Sequence, residues 1–492
     1  MMVYSDMRLK ALIIAALAVW CVDNAAAQTG SGYRSFLTGD PADVRTQPQT
    51  GVVLAGGGAD NDDAMRWMLR RASGGDVVVL RADGSDGYNE YFYRELGVAV
   101  NSVETIVFSS ADASRDPYVL QQLRNAELVF IAGGDQSRYV RFWKDTPVED
   151  ALNELITTKK ITIGGTSAGM AILGGLYYAP VNQGVTSAEA LSNPYHRNMQ
   201  TIGRQDFLNV PILRRVLADT HFEQRTRNGR LVAMMARVEQ DWNERAFAVA
   251  CNERTAVCVD ENGRAIVFSA APQGENFAFF ARSNCPTPPL TETQPETCVA
   301  GQPLTWTRGR EAVKVYAIAG DARGTNAFNL ATWRPVEGNV GCRWEDWYVE
   351  DGQFSRRNGS EPCLASVNVQ IGDYSRLHNA LYNTFYNNAL ASLTIVPNPV
   401  VAGAVAMLHL SCPLPALVSV SVHSLLGGKS LSVFEGMMPL GVHCLNVAKS
   451  LDVLPSGMYV CVVHQQHSPP LQNSTHHHAA TLVQRYLFSV VR

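Results

Sequence analysis

ITIGGTSAGMAILGGL, residues 161–176, sets a β-branched run, a serine between glycines and a helix-compatible run in immediate succession. The order is strand, tight turn, helix, and Ser167 falls on the turn in the pattern Gly-x-Ser-x-Gly. A serine held on such a turn needs small neighbours, because its backbone is strained there. The helix behind it offers unpaired N–H groups and positive potential to a developing oxyanion. A glycine-rich packing turn gives the same letters, so the surrounding sequence has to decide.

Working outward, GVVLAGGG (residues 51–58) reads as a strand running into a glycine turn, and DDAMRWMLRRA (62–72) as the helix after it. DVVVLRA (76–82), VETIVFSS (103–110) and AELVFIAGG (126–134) are further buried-strand candidates, as are AFAVACNE (246–253) and TAVCVD (255–260). Short β-branched runs alternating with longer amphipathic ones predict a doubly wound α/β domain with a mostly parallel sheet. AGGGAD (55–60) lacks the G-x-G-x-x-G spacing of a dinucleotide site and reads as close packing or a turn in a site wall. No cofactor is expected.

The chain has 492 residues, enough for about three domains. It carries 41 Lys+Arg against 45 Asp+Glu, a net charge of -4, and has no long basic run, which argues against nucleic acid as a partner. Arg8 and Lys10 precede an apolar run to Val22, and Ala25-x-Ala27 follows, so residues 1–27 read as a secretory signal peptide. That run is too short to span a bilayer and no later one is long enough, so no integral membrane span is expected. Of ten cysteines, Cys21 falls in the leader and the rest lie at or after Cys251, which suits export. Cys285 with Cys298, and Cys342 with Cys363, bracket local loops as candidate staples, with connectivity left open. Neither CxxC nor Cys/His spacing occurs, and His476-His477-His478 reads as an exposed polar stretch, so no metal site is expected.

Past residue 270 prolines 286, 288 and 289, then Trp344 and Trp347 among glycine and charge, suggest a loop-rich spacer. From about 391 onward alternating runs such as AMLHLS, VSVSVHSLLGG, GVHCLNV and SGMYVCVVH predict a small C-terminal all-β sandwich. The expected domains are therefore 1–27, 40–335 (catalytic), 336–390 (Cys/Trp-containing spacer) and 391–492 (sandwich).

A nucleophilic serine needs a base. His196, His378, His409, His423, His443 and His464 lie in contexts that suit surface or packed histidines, whereas His221 sits in ADTHFEQRTRNGRL (218–231) amid Asp219, Glu223, Arg225, Arg227 and Arg230. Glu253, at the C-terminal edge of a strand, is the candidate to orient the imidazole. The order Ser167, His221, Glu253 differs from that of α/β-hydrolases, where the acid precedes the histidine. The N–H of Ala168, with that of Gly134 or Asp135, would form the oxyanion hole.

AGGDQ (132–136), GGTSAG (164–169), DTHFEQRTRNGRL (219–231) and CNERTAV (251–257) together resemble the cyanophycinase branch of the S51 serine peptidases, over roughly residues 50–335. The resemblance implies a class I glutamine amidotransferase-like fold and a Ser167/His221/Glu253 triad. It also implies substrate contacts from Gln136, Asp219, Thr220, Arg225, Arg227 and Arg230, and pairing of two copies into a homodimer. The implied substrate is cyanophycin, a polyaspartate chain with arginine on its β-carboxyls, cut to β-aspartyl-arginine. Two departures bear on specificity: the family's DQHF reads Asp219-Thr220-His221-Phe222, and its Asp-Glu pair reads Asn252-Glu253. A longer connection, SAEALSNPY (187–195), could form a rim or lid. Short aspartyl or isoaspartyl dipeptides are an alternative substrate class, and a non-catalytic surface-displayed binding protein is an alternative of another kind. Pro397-Asn398-Pro399, VSVSVHSLLGGK and LPSGMYVCVV resemble the C-terminal sorting domain of the type IX secretion pathway. That implies the secretion machinery as a partner and a secreted or cell-surface location.

Overall fold

Among the described residues, nineteen strands of the first unit build two large sheets that share a hydrophobic core between them. In the computed structural model the described residues are 28–181, 183–200, 202–284 and 293–362, with the strands Thr394–Val396, Val400–Val401, Met407–Cys412, Ala416–Ser424, Leu431–Met438, Gly441–Asn446, Gly457–His467 and Thr481–Val491. The chain divides into two compact units, Met1–Asp373 and Tyr374–Arg492. The expected signal peptide, Cys285, Cys363, Pro397-Asn398-Pro399 and His476-His477-His478 lie outside the described residues.

In chain order the strands are β1 Gln28–Gly30, β2 Tyr33–Gly39, β3 Gly51–Ala55, β4 Asp76–Arg81, β5 Ser102–Phe108, β6 Leu128–Ile131, β7 Thr162–Thr166, β8 Leu176–Tyr178, β9 Ile202–Arg204 and β10 Val216–Asp219. There follow β11 Phe247–Cys251, β12 Thr255–Asp260, β13 Arg264–Ser269, β14 Phe277–Ser283, β15 Val313–Ala319, β16 Ala327–Asn329, β17 Arg334–Pro335, β18 Arg343–Glu350 and β19 Gln353–Asn358. The first sheet runs β1-β2-β5-β4-β6-β7-β3-β12-β13-β16-β17, and the second β19-β18-β15-β14-β11-β10-β8-β9.

The expected parallel strands form the centre of the first sheet, where β5, β4, β6, β7 and β3 are mutually parallel. These strands are continuous apolar runs because both faces are covered. Met65, Met68 and Leu69 of the helix Asp62–Arg70 cover one face at Val53, Val77 and Val79. On the other face Val52, Leu54, Val78 and Leu80 share a core with Val216, Val249 and Phe280 of the second sheet. The outer face of the second sheet is closed by Leu231, Met234 and Met235 of the helix Asn228–Trp242.

Two expectations need correcting. The first is the single, mostly parallel sheet expected to hold both the run ending in Cys251 and the run starting at Thr255. Instead β11 joins the second sheet beside β10, and β12 crosses to the first, antiparallel to β3. The crossing takes only Asn252, Glu253 and Arg254, and Arg254 adopts φ 59° to make it.

The second correction concerns the spacer. Residues 343–358 form the β18–β19 hairpin on the second sheet, so the catalytic body runs beyond 335. Trp347 is fully buried there, stacked on Phe222 at 6.0 Å, and its Nε1–H donates to Glu345 at 2.8 Å. Cys298 and Cys342 are free thiols rather than halves of the expected staples. In the C-terminal unit the described strands form one three-stranded and one five-stranded sheet. Val418, Val420 and Val422 are buried between half-exposed Ser419 and Ser421, the period-two pattern of a one-faced strand. Among the described residues no helix is long and apolar enough to cross a membrane.

Candidate active site

Ser167 follows β7 directly and precedes a short helix, Ala168–Ala171. Its backbone sits at φ 53°, ψ -116°, a conformation that costs a non-glycine residue about 1–3 kcal/mol and persists only where the surroundings enforce it. They do so through missing side chains. A Cβ on Gly165 would lie 2.5 Å from the Gly169 carbonyl carbon, and one on Gly169 would lie 2.0 Å from Ile131 O. The Gly-x-Ser-x-Gly spacing is therefore a packing requirement of the elbow.

Ser167 Oγ lies 2.7 Å from His221 Nε2, and His221 Nδ1 lies 2.6 Å from Glu253 Oε1. A carboxylate only accepts, so the ring proton belongs on Nδ1 and Nε2 is left to accept the serine hydroxyl. Three segments far apart in sequence meet here: the end of β7 in the first sheet, the turn after β10 in the second, and the three-residue crossing between the sheets. His221 is also strained, at φ 46°.

The turn after β3 holds all three in place. Ser167 N–H donates to Ala55 O at 3.0 Å, His221 N–H to Gly56 O at 2.7 Å, and Arg254 N–H, next to Glu253, to Gly57 O at 2.9 Å. Three successive carbonyls of AGGG thus each fix one arm of the constellation. The sequence suggested a site wall here without indicating this role.

Burial pushes the His221 imidazole below the ordinary histidine value, Arg225 and Arg227 push the same way, and the hydrogen bond to Glu253 opposes them. The net effect favours the free base, the form that can take the serine proton.

The other expected residues divide into two groups. Gly134 and Asp135 lie on the exposed turn after β6, and Gly133 approaches the serine so closely that a Cβ there would lie 3.5 Å from Ser167 Cβ. Tyr139 Oη holds that turn, 2.8 Å from Ala132 O and 3.0 Å from Gly133 O. Asp135 caps the following helix by accepting from Ser137 N–H at 2.9 Å. Ala168 N–H opens the helix behind the serine, where N–H groups have no partner one turn back. Gln136 reaches Tyr178 O at 3.5 Å.

Asp219, Thr220 and Arg230, expected to surround a substrate, are instead buried. Arg230 makes a two-pronged pair with Asp219, its Nε at 2.9 Å from Oδ2 and its Nη2 on Oδ1. Arg227 donates to Thr220 O at 2.7 Å and approaches Asp219 at 3.5 Å. A buried pair of this kind is a structural device. Asp219→Ala would strand Arg230 and is expected to cost about 3–5 kcal/mol, read as a lowered melting temperature. An unchanged melting temperature would contradict this.

Arg225 alone of the three arginines is exposed, and among the described residues its side chain has no ion pair or hydrogen bond. The 187–195 connection is tied to the turn after His221 and to the helix Asn228–Trp242. Its helix, Ser187–Ser192, starts in a Thr186/Glu189 capping box, and Ser187 Oγ donates to Thr226 O at 2.5 Å while accepting from Arg230 N–H at 3.0 Å. Among the described residues no group of three or more His, Cys, Asp or Glu could hold a metal ion. Residues the sequence did not single out are Gly133, Gln224, whose Oε1 accepts from Glu253 N–H at 3.1 Å, and Arg356, and it gave no partners for Glu223 and Asn252. Nothing in local periodicity marks such long-range partners.

Residues 81–237 match the model of Peptidase family S51, a match that implies a serine-type peptidase. The cyanophycinase of Trichormus variabilis (strain ATCC 29413 / PCC 7937) is 28% identical over 198 residues, covering 38% of this chain and 62% of that protein. The cyanophycinase of Synechococcus elongatus is 28% identical over 211 residues, covering 40% of this chain and 61% of that protein. The chain thus spans less than two thirds of the length of these curated relatives. Among solved structures, the crystal structure of a peptidase from an acI-B1 Actinobacterium is similar with a TM-score of 0.34 and 13% identity, over 46% of this chain and 89% of that one. The family match includes Ser167 and His221 and ends before Glu253.

Proposed function

We propose that this chain is a serine peptidase in which Ser167 is the nucleophile, His221 the general base and Glu253 the group that orients the imidazole. The observation that carries the reading is the hydrogen-bonded chain of 2.7 and 2.6 Å on a strained serine at the C-terminal end of β7. Ser167 Oγ adds to a carbonyl carbon as His221 Nε2 takes its proton, with the oxyanion held by Ala168 N–H and by Gly134 or Asp135 N–H. Collapse breaks the C–N bond, and His221 returns the proton to the departing amine. Water then repeats the sequence on the acyl-enzyme, His221 taking its proton and giving it back to Ser167.

For the substrate we propose an aspartate-rich amide, cyanophycin before short aspartyl or isoaspartyl dipeptides. The names of the matched relatives support this choice, as does the unpaired, exposed guanidinium of Arg225 near His221. Incubation of the mature protein and its Ser167→Ala variant with cyanophycin and with α- and β-aspartyl dipeptides, products read by mass, tests it. Serine-dependent β-aspartyl-arginine supports the leading substrate. Dipeptide cleavage alone moves the activity to the dipeptidase class, and no serine-dependent product from either leaves binding as the better account.

Arg225→Ala is expected to raise KM for carboxylate-bearing substrates about tenfold, the worth of one charge-assisted hydrogen bond at an exposed site. It should also move the acidic limb of kcat/KM to higher pH. Activity needs neutral His221 and rises as pH passes its pKa; removing a nearby cation raises that pKa, so more alkali is needed. A limb that stays in place would count against Arg225 as a neighbour of the base. Export through residues 1–27 and surface delivery by the C-terminal unit complete the proposal, supported by sequence patterns alone.

A further inference from the structure

We propose that Asn252 is a positioning residue that locks the base and acid arms of the site together, and that the β18–β19 hairpin completes the lock through Arg356. This rests on the triad reading above. Asn252 is wholly buried at the crossing between sheets, directly before Glu253. Its side-chain Oδ1 accepts from Glu223 N–H at 3.0 Å, while Nδ2 donates to Glu223 Oε2 at 3.1 Å and to Glu275 O at 3.0 Å. Glu223 stands two residues after His221, and Phe222 N–H donates to Cys251 O at 3.2 Å. The amide therefore staples the chain just after the base to the chain just before the acid, using every hydrogen-bonding direction it has except one lone pair.

The second half of the lock comes from the β18–β19 hairpin. Arg356 Nη1 donates to Glu223 Oε1 at 2.8 Å and lies 3.7 Å from Glu345 Oε2. Glu345 in turn accepts from Trp347 Nε1, and the Trp347 ring stacks on Phe222. Each oxygen of Glu223 thus has its own donor, Asn252 on one and Arg356 on the other. Polarity is the point of the arrangement: Glu223 meets two donors with two accepting oxygens, whereas a second carboxylate at 252 would repel it and an amide at 223 has only one oxygen for both donors.

That polarity can be reversed without changing size or, in the double variant, net charge. Asn252→Asp, assayed at pH 8, sets carboxylate against carboxylate, and Glu223→Gln sets amide against amide or guanidinium. The double variant restores a donor opposite an acceptor between 252 and 223 and leaves the oxygen of the new amide at position 223 to accept from Arg356; the bond to Glu275 O is lost in it as in Asn252→Asp, so these two variants differ only at the lock. The readout is the rate at which a fluorophosphonate probe labels Ser167, per folded molecule, alongside the melting temperature. Each single variant is expected to label about tenfold more slowly, and the double to label roughly threefold or more faster than Asn252→Asp. Arg356→Gln, at the surface end, should slow labelling several-fold and fold normally.

A double variant no faster than Asn252→Asp overturns the proposal. So does an effect on melting temperature alone, which would make the contact merely structural, and an unaffected Arg356→Gln removes the hairpin from it. If Asn252→Asp does not fold, Glu223→Gln and Arg356→Gln decide by the same rates. Failure of the unmutated protein to label at all, or labelling that persists in Ser167→Ala, overturns the triad reading instead.

Discussion

Ser167→Ala is expected to lower turnover of the preferred amide by roughly 10⁶, to the level that binding and an oxyanion hole sustain without a nucleophile. The substitution removes only Oγ, together with its 2.7 Å hydrogen bond to His221. The backbone that shapes the elbow is untouched, since alanine tolerates φ 53° no worse than serine and the Ser167 N–H bond to Ala55 O belongs to the main chain. The variant should therefore melt close to the unmutated protein and still bind substrate. Single-turnover and steady-state rates on the same substrate separate this outcome from misfolding. A drop of tenfold or less would mean that the attacking atom is not on Ser167, the residue whose hydroxyl is hydrogen-bonded to His221 Nε2.

How far the chain could be read in advance depended on the range of the interactions concerned. The elbow at Gly165–Gly169 was legible because its requirement is local: a strand, a tight turn and a helix written in one short run of letters. Ser167, His221 and Glu253 were legible only as candidates, from chain order and a charged neighbourhood; their 2.7 and 2.6 Å spacing is tertiary. The split into two sheets was not legible. Both β11 and β12 are buried apolar runs, and periodicity carries no sign of which neighbour a strand will choose. The β18–β19 hairpin was missed for another reason, since Trp, Gly and charge in RWEDWYVEDGQF resemble a loop until Trp347 is placed under Phe222. The arginine-rich segment misled in the opposite direction. Three basic residues suggested three ligands for carboxylates, while the chain supplies its own carboxylate, Asp219, to Arg230 and leaves Arg225 exposed.

Gly57→Ala should produce the other large loss, about 10²–10³ in kcat, at a residue that performs no chemistry. Gly57 holds φ +95°, which an alanine enters only under strain, and its Cβ would come 2.4 Å from both Cε1 and Nε2 of His221. That is the edge of the ring that faces Ser167 Oγ, so the methyl group competes with the serine for the space beside the basic nitrogen. Relief requires the imidazole to turn or the AGGG turn to retreat. Retreat would drag Gly56 O and Gly57 O, which hold His221 N–H and Arg254 N–H, and so disturb the base and the acid together. Gly58→Ala is the control, for its φ of +75° carries similar backbone strain while its Cβ would meet Glu253 Cβ at 3.2 Å, a contact that a few tenths of an ångström relieves. Both variants should lose comparable melting temperature, and only Gly57→Ala should lose most of its turnover. Equal losses of activity would show that strain in the turn, rather than the space beside Nε2, is what the glycine protects.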